Sequence, residues 1–237
     1  PPLATNYCIS MTNTIPPTAI IGPDVIFGDD NEVGPYTVIY GPTEIGRRNI
    51  IGPHVTIGTP GQDTRNARYD SSSCKIKIGN DNIIREYTGI QKPCYRDLTE
   101  IRDRVHLMQG VHIPHDAIIH DDVVVTPMVA LGGLSILLPG VNLALGCLVH
   151  QYSVVGHYSI AGMGAAVMKN IPPFGKYIPG KPISVNHYAI DKFGYQAERD
   201  EIVAYLLGGV RPVSARLLAI VDEFERLSAA SQRNVYN

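Results

Sequence analysis

Apolar residues recur at every sixth position along most of this chain. The longest uninterrupted run holds this period twelve times, from Ile101 to Val167. An earlier run extends from Ile15 to Ile57, and a short one extends from Ile78 to Ile90. A period of six fits neither an α-helix nor a simple alternating strand. It is typical of a parallel β-helix, in which three hexads form one triangular coil and each apolar residue points inward.

Glycine often follows the apolar residue in the first run, at the point where the coil turns. These glycines are Gly22, Gly28, Gly34, Gly46, Gly52 and Gly58. Because glycine adopts positive φ without steric cost, we predict that these corners use that conformation. Successive coils are expected to stack at about 4.8 Å, the usual distance between neighbouring strands.

Two polar segments interrupt the repeat, and they set the predicted domain organisation. We predict a β-helix over residues 15–188, with loop insertions near 59–77 and 92–100 and an N-terminal extension over 1–14. Insertions in solenoid proteins leave as loops on one face and often carry the binding function. The fold class is therefore mainly β.

Residues 189–237 form a predicted C-terminal helical domain that packs on the end of the β-helix. Apolar residues recur there at helical spacing, as in Ile202, Val203 and Leu206. Gly208, Gly209 and Pro212 separate two predicted helices, and Ser214 is a candidate cap for the second.

Composition excludes several classes of partner. The 237 residues carry a formal net charge of −2, which gives no reason to expect nucleic-acid binding.

Four cysteines lie far apart without a CxxC pair, and no signal peptide is visible, so we expect a cytoplasmic protein with reduced thiols. Residues 123–168 contain no Asp, Glu, Lys or Arg, but Gly, Pro, Asn and His recur there and the hexad phase continues. We therefore predict no membrane span.

The best candidates for chemistry are His112 and His115, in the sequence Val-His-Ile-Pro-His-Asp. Histidine suits general base catalysis because its pKa lies near physiological pH. The coil length of three hexads places His115 beside Gly133 and Gln151. A glycine there leaves space over the imidazole, backbone N–H groups of that corner could hold an oxyanion, and Asp116 could fix the histidine tautomer.

The motifs outside the hexads resemble those of a known family, the UDP-N-acetylglucosamine acyltransferases of lipid A biosynthesis and their sugar-acyltransferase relatives. The resemblance runs in order from about Ile15 to Tyr195. The segments that carry it are Ile-Gly-Thr-Pro-Gly-Gln-Asp (57–63), Ile-Gly-Asn-Asp-Asn-Ile-Ile-Arg-Glu (78–86), Leu-Met-Gln-Gly-Val-His-Ile-Pro-His-Asp (107–116), Val-His-Gln-Tyr (149–152), Ile-Pro-Pro (171–173) and Asn186.

This resemblance implies a left-handed parallel β-helix that works as a homotrimer, with active sites between neighbouring subunits. It implies transfer of an acyl group, of the 3-hydroxyacyl type, from an acyl-carrier-protein thioester to a nucleotide-linked sugar. His115 matches the catalytic base, with His112 and Asp116 beside it. The expected substrate-binding residues are Gln62, Asp63, Gly133, Leu134, His150, Gln151, Asn186 and Lys192. We expect no metal and no bound cofactor.

Two departures from the family pattern bear on the substrate. Leu134 and Gln91 stand where the family has histidines that shape the acceptor and acyl pockets. The resemblance therefore leaves open a UDP- or dTDP-linked sugar, with an amino sugar as one alternative to the lipid A precursor. It also leaves open acyl-CoA as the donor in place of the acyl carrier protein. A CoA-dependent N-acetyltransferase acting on a nucleotide amino sugar is the alternative within the same class.

Two further alternatives belong to other classes. The four histidines His106, His112, His115 and His120 invite comparison with zinc lyases of the carbonic anhydrase type, although their spacing is not that of a standard chelate. The other alternative is a β-helix without catalytic activity that serves as an assembly platform. Lys192, with Lys169, Lys176 and Lys181, forms either an ordinary solvated rim or a basic surface for an acidic carrier protein.

Overall fold

The computed structural model describes residues 12–65 and 74–236, which form 24 short strands and three helices. The strands are β1 (Ile20–Ile21), β2 (Val25–Phe27), β3 (Glu32–Val33), β4 (Val38–Ile39), β5 (Thr43–Ile45), β6 (Ile50–Ile51), β7 (Thr56–Thr59), β8 (Lys75–Ile78), β9 (Ile83–Ile84), β10 (Gly89–Gln91), β11 (Leu98–Ile101), β12 (His106–Leu107), β13 (His112–Ile113), β14 (Ile118–Ile119), β15 (Val124–Val125), β16 (Ala130–Leu131), β17 (Ile136–Leu137), β18 (Asn142–Leu143), β19 (Leu148–Val149), β20 (Val154–Val155), β21 (Ile160–Ala161), β22 (Ala166–Val167), β23 (Gly175–Tyr177) and β24 (Ser184–Val185). The helices are α1 (His187–Lys192), α2 (Arg199–Gly208) and α3 (Ala215–Ala230).

Every third strand belongs to the same sheet, so the chain winds round a triangular prism. Sheet 1 has the order β1-β4-β7-β10-β13-β16-β19-β22, and sheet 2 the order β2-β5-β8-β11-β14-β17-β20. Sheet 3 has the order β24-β23-β21-β18-β15-β12-β9-β6-β3, in which only β24 pairs antiparallel. We call the turns from sheet 1 to sheet 2 the first corner, those from sheet 2 to sheet 3 the second corner, and those from sheet 3 to sheet 1 the third corner. The predicted parallel β-helix is confirmed.

The hexad residues line the interior of the prism. Ile101, Leu107 and Ile113 have no exposed surface, and the same holds for most of the later members of the series. In the first coil Ile15 and Ile21 are only partly buried. A stack of aliphatic side chains inside three sheets is therefore the core, as the period of six predicts.

Positive φ occurs at the corners, but at a different position from the predicted glycines. Among the six glycines that follow apolar residues, only Gly58 has positive φ, at 89°. The left-handed residue comes two positions after the glycine site and is usually not glycine, as in Tyr36 (φ 59°) and His54 (φ 55°). Gly34 is required for space instead, because a Cβ there would lie 2.6 Å from the Gly52 carbonyl carbon in the next coil.

Buried asparagines form a hydrogen-bonded column inside the second corner. The Asn49 amide nitrogen donates to Oδ1 of Asn31 and to the Gly79 carbonyl, and Oδ1 of Asn49 accepts from Asn82. All three asparagines have no exposed surface. Because each amide bonds to the coil before and the coil after, the column holds successive coils at a fixed height.

The C-terminal helices cover both the end and one side of the β-helix. Leu206 of α2 packs against the interior of the prism, while Phe224 of α3 packs against Val154 on the outside of sheet 2. Helix α2 ends before Gly209, which has φ 65°, and α3 begins after Ser214, whose hydroxyl makes no capping hydrogen bond. The short helix α1 was not predicted.

The strands give both insertions shorter bounds than the sequence predicted. The predicted loop near 59–77 runs from 60 to 74 between β7 and β8, and residues 66–73 lie outside the described part of the chain. The second loop runs only from 92 to 97, because β11 pairs in register with β8 from Leu98 onward. Of the predicted extension over 1–14, residues 1–11 and therefore Cys8 lie outside the described residues, and Thr14 forms a bridge with Glu32.

Cys94 and Cys147 are buried free thiols, and Cys74 is also buried. Within residues 12–65 and 74–236, no helix combines the length and the apolar character needed to cross a membrane.

Candidate functional site

Both insertions leave the β-helix at the first corner, and His115 lies in a turn of that corner. The segment 60–65 follows β7, the segment 92–97 follows β10, and the turn with His115 follows β13 in the next coil of the same sheet. The insertions therefore stand beside His115 in one column of turns. This column is the candidate active site.

His115 and Asp116 form a hydrogen-bonded pair. The distance from Nδ1 of His115 to Oδ2 of Asp116 is 2.7 Å, and the side chains are 12% and 0% exposed. Burial alone would raise the pKa of Asp116, but hydrogen bonds from His115 and from three backbone N–H groups outweigh it and lower that pKa. An ionised Asp116 keeps the proton of a neutral His115 on Nδ1, so Nε2 presents a lone pair.

Asp116 also organises the second insertion. Its carboxylate accepts hydrogen bonds from the backbone N–H groups of Cys94, Tyr95 and Arg96, at 2.6–3.1 Å. Its own N–H donates to the Thr99 hydroxyl at 2.9 Å. The Asp116 backbone is left-handed, with φ at 63°, and its carboxylate has no exposed surface. The residue that fixes the histidine therefore also fixes the loop beside it.

Asp63, in the first insertion, is held by Arg65 and Tyr95. Oδ1 accepts from the backbone N–H and Nε of Arg65, and Oδ2 accepts from Nη2 of Arg65 and from the Tyr95 hydroxyl at 2.6 Å. The Arg65 and Tyr95 hydrogen bonds hold the pKa of Asp63 far below its usual value. Since a carboxylate offers about four acceptor positions, those of Asp63 are filled. Gln62 beside it is exposed.

Tyr95 links the two carboxylates of the site, and the sequence reading did not select it. Its backbone N–H binds Asp116, its hydroxyl binds Asp63, and its ring centroid lies 5.8 Å from that of His115. Because Tyr95 and Asp63 lie 32 residues apart in the two insertions, the period of six did not predict their contact. The only available clue was that it lies in an insertion next to a candidate active-site coil.

Gly133 lies directly against the His115 ring, as the coil length predicts. A Cβ on Gly133 would lie 2.3 Å from Cε1 and 2.5 Å from Nε2 of His115, so any side chain there would displace the imidazole. The N–H group of Gly133 has no hydrogen-bond partner among the described residues. The next residue, Leu134, has φ 62°, is half-buried and donates its N–H to the His115 carbonyl at 3.2 Å.

His150 and Gln151 occupy the next turn of the same corner. The Tyr152 N–H donates to the Gly133 carbonyl at 2.9 Å, which fixes this turn directly on the one before it. His150 is half-buried and Gln151 is exposed. Both contact Arg233 near the C-terminus, a residue that the sequence reading also did not select.

His112 lies on the outer face of sheet 1, in β13, and is half-buried. Burial lowers its pKa, and the nearby His115 lowers it further. A neutral His112 beside the pair of His115 and Asp116 agrees with the supporting role predicted for it, which stays a prediction.

Asn186 and Lys192 are not near His115 within one chain. Asn186 is 8% exposed and donates its amide to the Tyr158 carbonyl, in a turn of the second corner. Lys192 is exposed at the end of α1, with Nζ 5.0 Å from the centre of the Phe193 ring. A role for either residue at the His115 site therefore requires a neighbouring subunit.

The four histidines of the zinc hypothesis point to different parts of the prism. His106 is on sheet 3, His112 on sheet 1, His115 at the first corner and His120 at the second. No group of three His, Cys, Asp or Glu side chains in residues 12–65 and 74–236 is arranged to hold a metal ion. Within one chain, the zinc hypothesis therefore lacks the convergence of ligands that it requires.

Comparisons with known proteins agree with this geometry. Residues 24–59 match the bacterial transferase hexapeptide family (six repeats). The acyl-(acyl-carrier-protein)–UDP-N-acetylglucosamine O-acyltransferase of Stutzerimonas stutzeri is 33% identical over 78% of this chain and 79% of that protein. The protein of the same name from Pseudomonas putida is 30% identical over 91% of this chain and 90% of its own length. The chain belongs to the UDP-N-acetylglucosamine O-acyltransferase family.

A solved structure of this family has the same architecture. The UDP-N-acetylglucosamine acyltransferase of Bacteroides fragilis superposes with a TM-score of 0.79 at 26% identity, covering 97% of this chain and 100% of that one. This likeness and the family match confirm the left-handed parallel β-helix and the predicted acyltransferase activity.

Leu134 and Gln91 are the two residues that depart from the family pattern. Leu134 adjoins the His115 turn, so an apolar side chain replaces a polar one at the predicted acceptor pocket. Gln91 is 6% exposed, and its Oε1 is buried without a hydrogen-bond partner in the described ranges. With Leu134 and Gln91 at these positions, the donors and acceptors beside His115, the predicted base, differ from those of the family pattern.

Proposed function

We propose that this acyltransferase moves an acyl group from an acyl-carrier-protein thioester to a hydroxyl of UDP-N-acetylglucosamine, with His115 as general base. The observation that carries the proposal is the buried pair of His115 and Asp116 at the corner where both insertions meet. The substrates named for the relatives from S. stutzeri and P. putida support the choice of donor and acceptor.

The geometry supports a direct transfer step. Nε2 of His115 takes the proton of the acceptor hydroxyl while the oxygen attacks the thioester carbonyl carbon and a C–O bond forms. The negative charge that develops on the carbonyl oxygen is stabilised by an N–H donor, and the Gly133 N–H is the candidate. When the C–S bond breaks, the proton on His115 passes to the leaving thiolate. Asp116 holds the ring and stabilises its charged form throughout.

Asp63 and Gln62 are proposed to bind the sugar, together with Gln151 from the turn two coils beyond His115. Because the acceptor positions of Asp63 are filled, a sugar hydroxyl or amide must replace one of the bonds from Arg65. The Arg65 side chain is 86% exposed, so it can leave Asp63 without opening the core. Tyr95 stays in place and keeps the carboxylate oriented.

A nucleotide amino sugar, acylated on nitrogen, is the second candidate acceptor. The departures from the family pattern at Leu134 and Gln91 favour it. Among residues 12–65 and 74–236, the buried amide oxygen of Gln91 has no N–H or O–H donor. The same base can take a proton from the acceptor ammonium group, and the neutral amine that results then attacks the thioester carbonyl carbon. A dTDP-linked sugar and an acyl-CoA donor belong to this second candidate.

Donor recognition is proposed to involve the lysines at the C-terminal end of the β-helix. Lys169, Lys176, Lys181 and Lys192 are all exposed. A basic rim raises the encounter rate with an acidic carrier protein, and this effect weakens as salt is added.

We further propose that the active form is a homotrimer. Apolar side chains are exposed along sheet 1 and the third corner, including Met128 (65%), Leu148 (56%) and Met163 (71%). An apolar surface of this kind is typical of a contact between subunits. A neighbouring subunit is also what would bring Asn186 or Lys192 to a His115 site.

A panel of donors and acceptors tests the proposal. Purified protein is incubated with acyl carrier protein or CoA thioesters of several chain lengths, against UDP-N-acetylglucosamine and UDP- and dTDP-linked amino sugars, and products are identified by mass spectrometry. The proposal predicts an ester of UDP-N-acetylglucosamine that mild alkali cleaves. An alkali-stable amide on an amino sugar supports the second candidate, and a product from acyl-CoA alone contradicts the choice of donor. No acyl transfer to any acceptor contradicts both candidates.

A further inference from the structure

The end of the chain returns to the first corner and is fixed there by its backbone. After α3, the Asn170 N–H donates to the Asn234 carbonyl at 2.7 Å, and the Tyr236 N–H donates to the Asn170 carbonyl at 2.9 Å. The buried amide of Asn170 also donates to the Arg233 carbonyl at 3.0 Å. The Tyr236 ring stacks on Tyr177 at 4.4 Å between centroids. The position of this segment therefore does not depend on the Arg233 side chain.

The Arg233 side chain reaches across to the turn that holds two predicted substrate-binding residues. Its Nε donates to the Gln151 carbonyl at 3.0 Å, and its Nη2 contacts Nδ1 of His150. Arg233 as a whole is half-buried. This turn lies two coils from that of His115, which corresponds to about 10 Å at the usual strand spacing.

Within the described ranges, Arg233 has no carboxylate partner. Its partners in residues 12–65 and 74–236 are the Gln151 carbonyl oxygen and the His150 imidazole, whereas Arg65 in the same column is paired with Asp63. A guanidinium has five N–H donors, and these two contacts leave some of them available. An uncompensated guanidinium that is held in place is suited to bind a phosphate group, with two parallel hydrogen bonds.

We propose that Arg233 is a substrate-binding residue that contacts the diphosphate of the nucleotide-linked acceptor. This inference rests on the proposed function, in which the sugar hydroxyl lies at His115. A separation of about 10 Å along the column leaves room for the sugar ring between the base and the diphosphate. The C-terminal segment thereby supplies a positive charge at the same corner as the base, which Lys192 at the end of α1 does not do within one chain.

The test compares Arg233→Gln and Arg233→Lys with the wild-type protein. We expect Arg233→Gln to raise the KM for UDP-N-acetylglucosamine by roughly tenfold or more, because a charged hydrogen bond is lost. The kcat and the KM for the acyl donor are expected to change by less than about threefold, since Arg233 contacts neither His115 nor Asp116. Arg233→Lys restores part of the affinity. The matched control is Arg226→Gln, on the exposed side of α3, which leaves all three parameters unchanged.

Calorimetric titration with UDP and with dTDP separates this inference from the proposed function, because it needs no catalysis. Weaker binding of either nucleotide to Arg233→Gln, with an unchanged melting temperature, supports the inference even if the acyl donor proves different. Equal binding by the wild type and Arg233→Gln overturns it, and so does a wild type that binds neither nucleotide. A melting temperature that falls together with the affinities for both substrates shows a structural role and also overturns it.

Discussion

At the scale of single residues, the site depends on two carboxylates with different tasks. Asp116 is fully buried and serves His115 and the loop over 92–97, while Asp63 is held in a loop by exposed Arg65 and by Tyr95. The pKa values of both are lowered, in each case because several N–H or O–H donors point at the charged form. Both carboxylates are therefore ionised at neutral pH, which suits one to orient a base and the other to bind a hydroxyl.

Tyr95→Phe tests the link between them. The change removes the hydroxyl that donates to Asp63 and keeps the ring beside His115. We expect the KM for the acceptor to rise by about threefold to tenfold and kcat to change less, because a hydrogen bond to a charged group is lost from a binding residue. Steady-state kinetics check this. Tyr36→Phe, an exposed tyrosine at the third corner, is the control, and an equal effect in both variants would contradict the role of Tyr95.

At the scale of elements, the coils are held together by side-chain columns as well as by strands. Asn49→Ala removes the middle amide of the buried asparagine column, so the N–H groups of Asn82 and the Gly79 carbonyl lose their hydrogen bonds to it. We expect the free energy of unfolding to fall by about 2–4 kcal/mol, the cost of leaving buried polar groups unsatisfied. Chemical denaturation measures it. Asn142→Ala, on the outer face of sheet 3, should cost under about 1 kcal/mol; a similar loss in both would contradict the column's role.

The contact between α3 and the second corner predicts a pH dependence of stability. Burial lowers the pKa of His120 to about 4, with Arg102 as a further cause, and burial also lowers the pKa of His157, although Glu223 of α3 opposes the shift. The unfolded chain takes up these protons near pH 6.5, before the folded chain does. Stability is therefore full above pH 6.5 and is lost as the pH falls towards 4, by at most about 3 kcal/mol for His120.

His120→Gln tests that dependence. The variant removes one titrating group, so the free energy of unfolding should decline less steeply between pH 6.5 and 4 than in the wild type. Urea denaturation at a series of pH values gives the slope. His54→Gln, an exposed histidine at the third corner, should keep the wild-type slope. An unchanged slope in His120→Gln would show that other groups are responsible.

These elements also show how far the sequence could be interpreted alone. The period of six predicts the strands, the core and the position of His115 beside Gly133, because each follows from the fixed length of a coil. The contacts of Tyr95 with Asp63 and of Arg233 with His150 join residues 32 and 83 positions apart through segments outside the repeat. No period encodes those distances. Asn186 follows an antiparallel strand that breaks the coil register, so its contact with a turn of the second corner could not be predicted.

At the scale of the whole molecule, the exposed apolar surface predicts an assembly. Light scattering coupled to gel filtration is expected to give a mass of three times 25.8 kDa. Leu148→Lys places a charge on the exposed face of sheet 1 and should shift the protein towards the monomer, with loss of activity if neighbouring subunits complete the site. Ile26→Lys, on the exposed face of sheet 2, is the matched control. A wild-type monomer with full activity would contradict the proposed homotrimer.

The most direct test of the account is the rate of acyl transfer by His115→Ala, with the donor and acceptor that the panel identifies. We expect kcat to fall by a factor of about 100 to 10,000, the usual contribution of a general base, while circular dichroism and the melting temperature stay close to those of the wild type. Transfer at the wild-type rate by a folded His115→Ala protein would contradict the assignment of the base, and with it the proposed mechanism at the first corner.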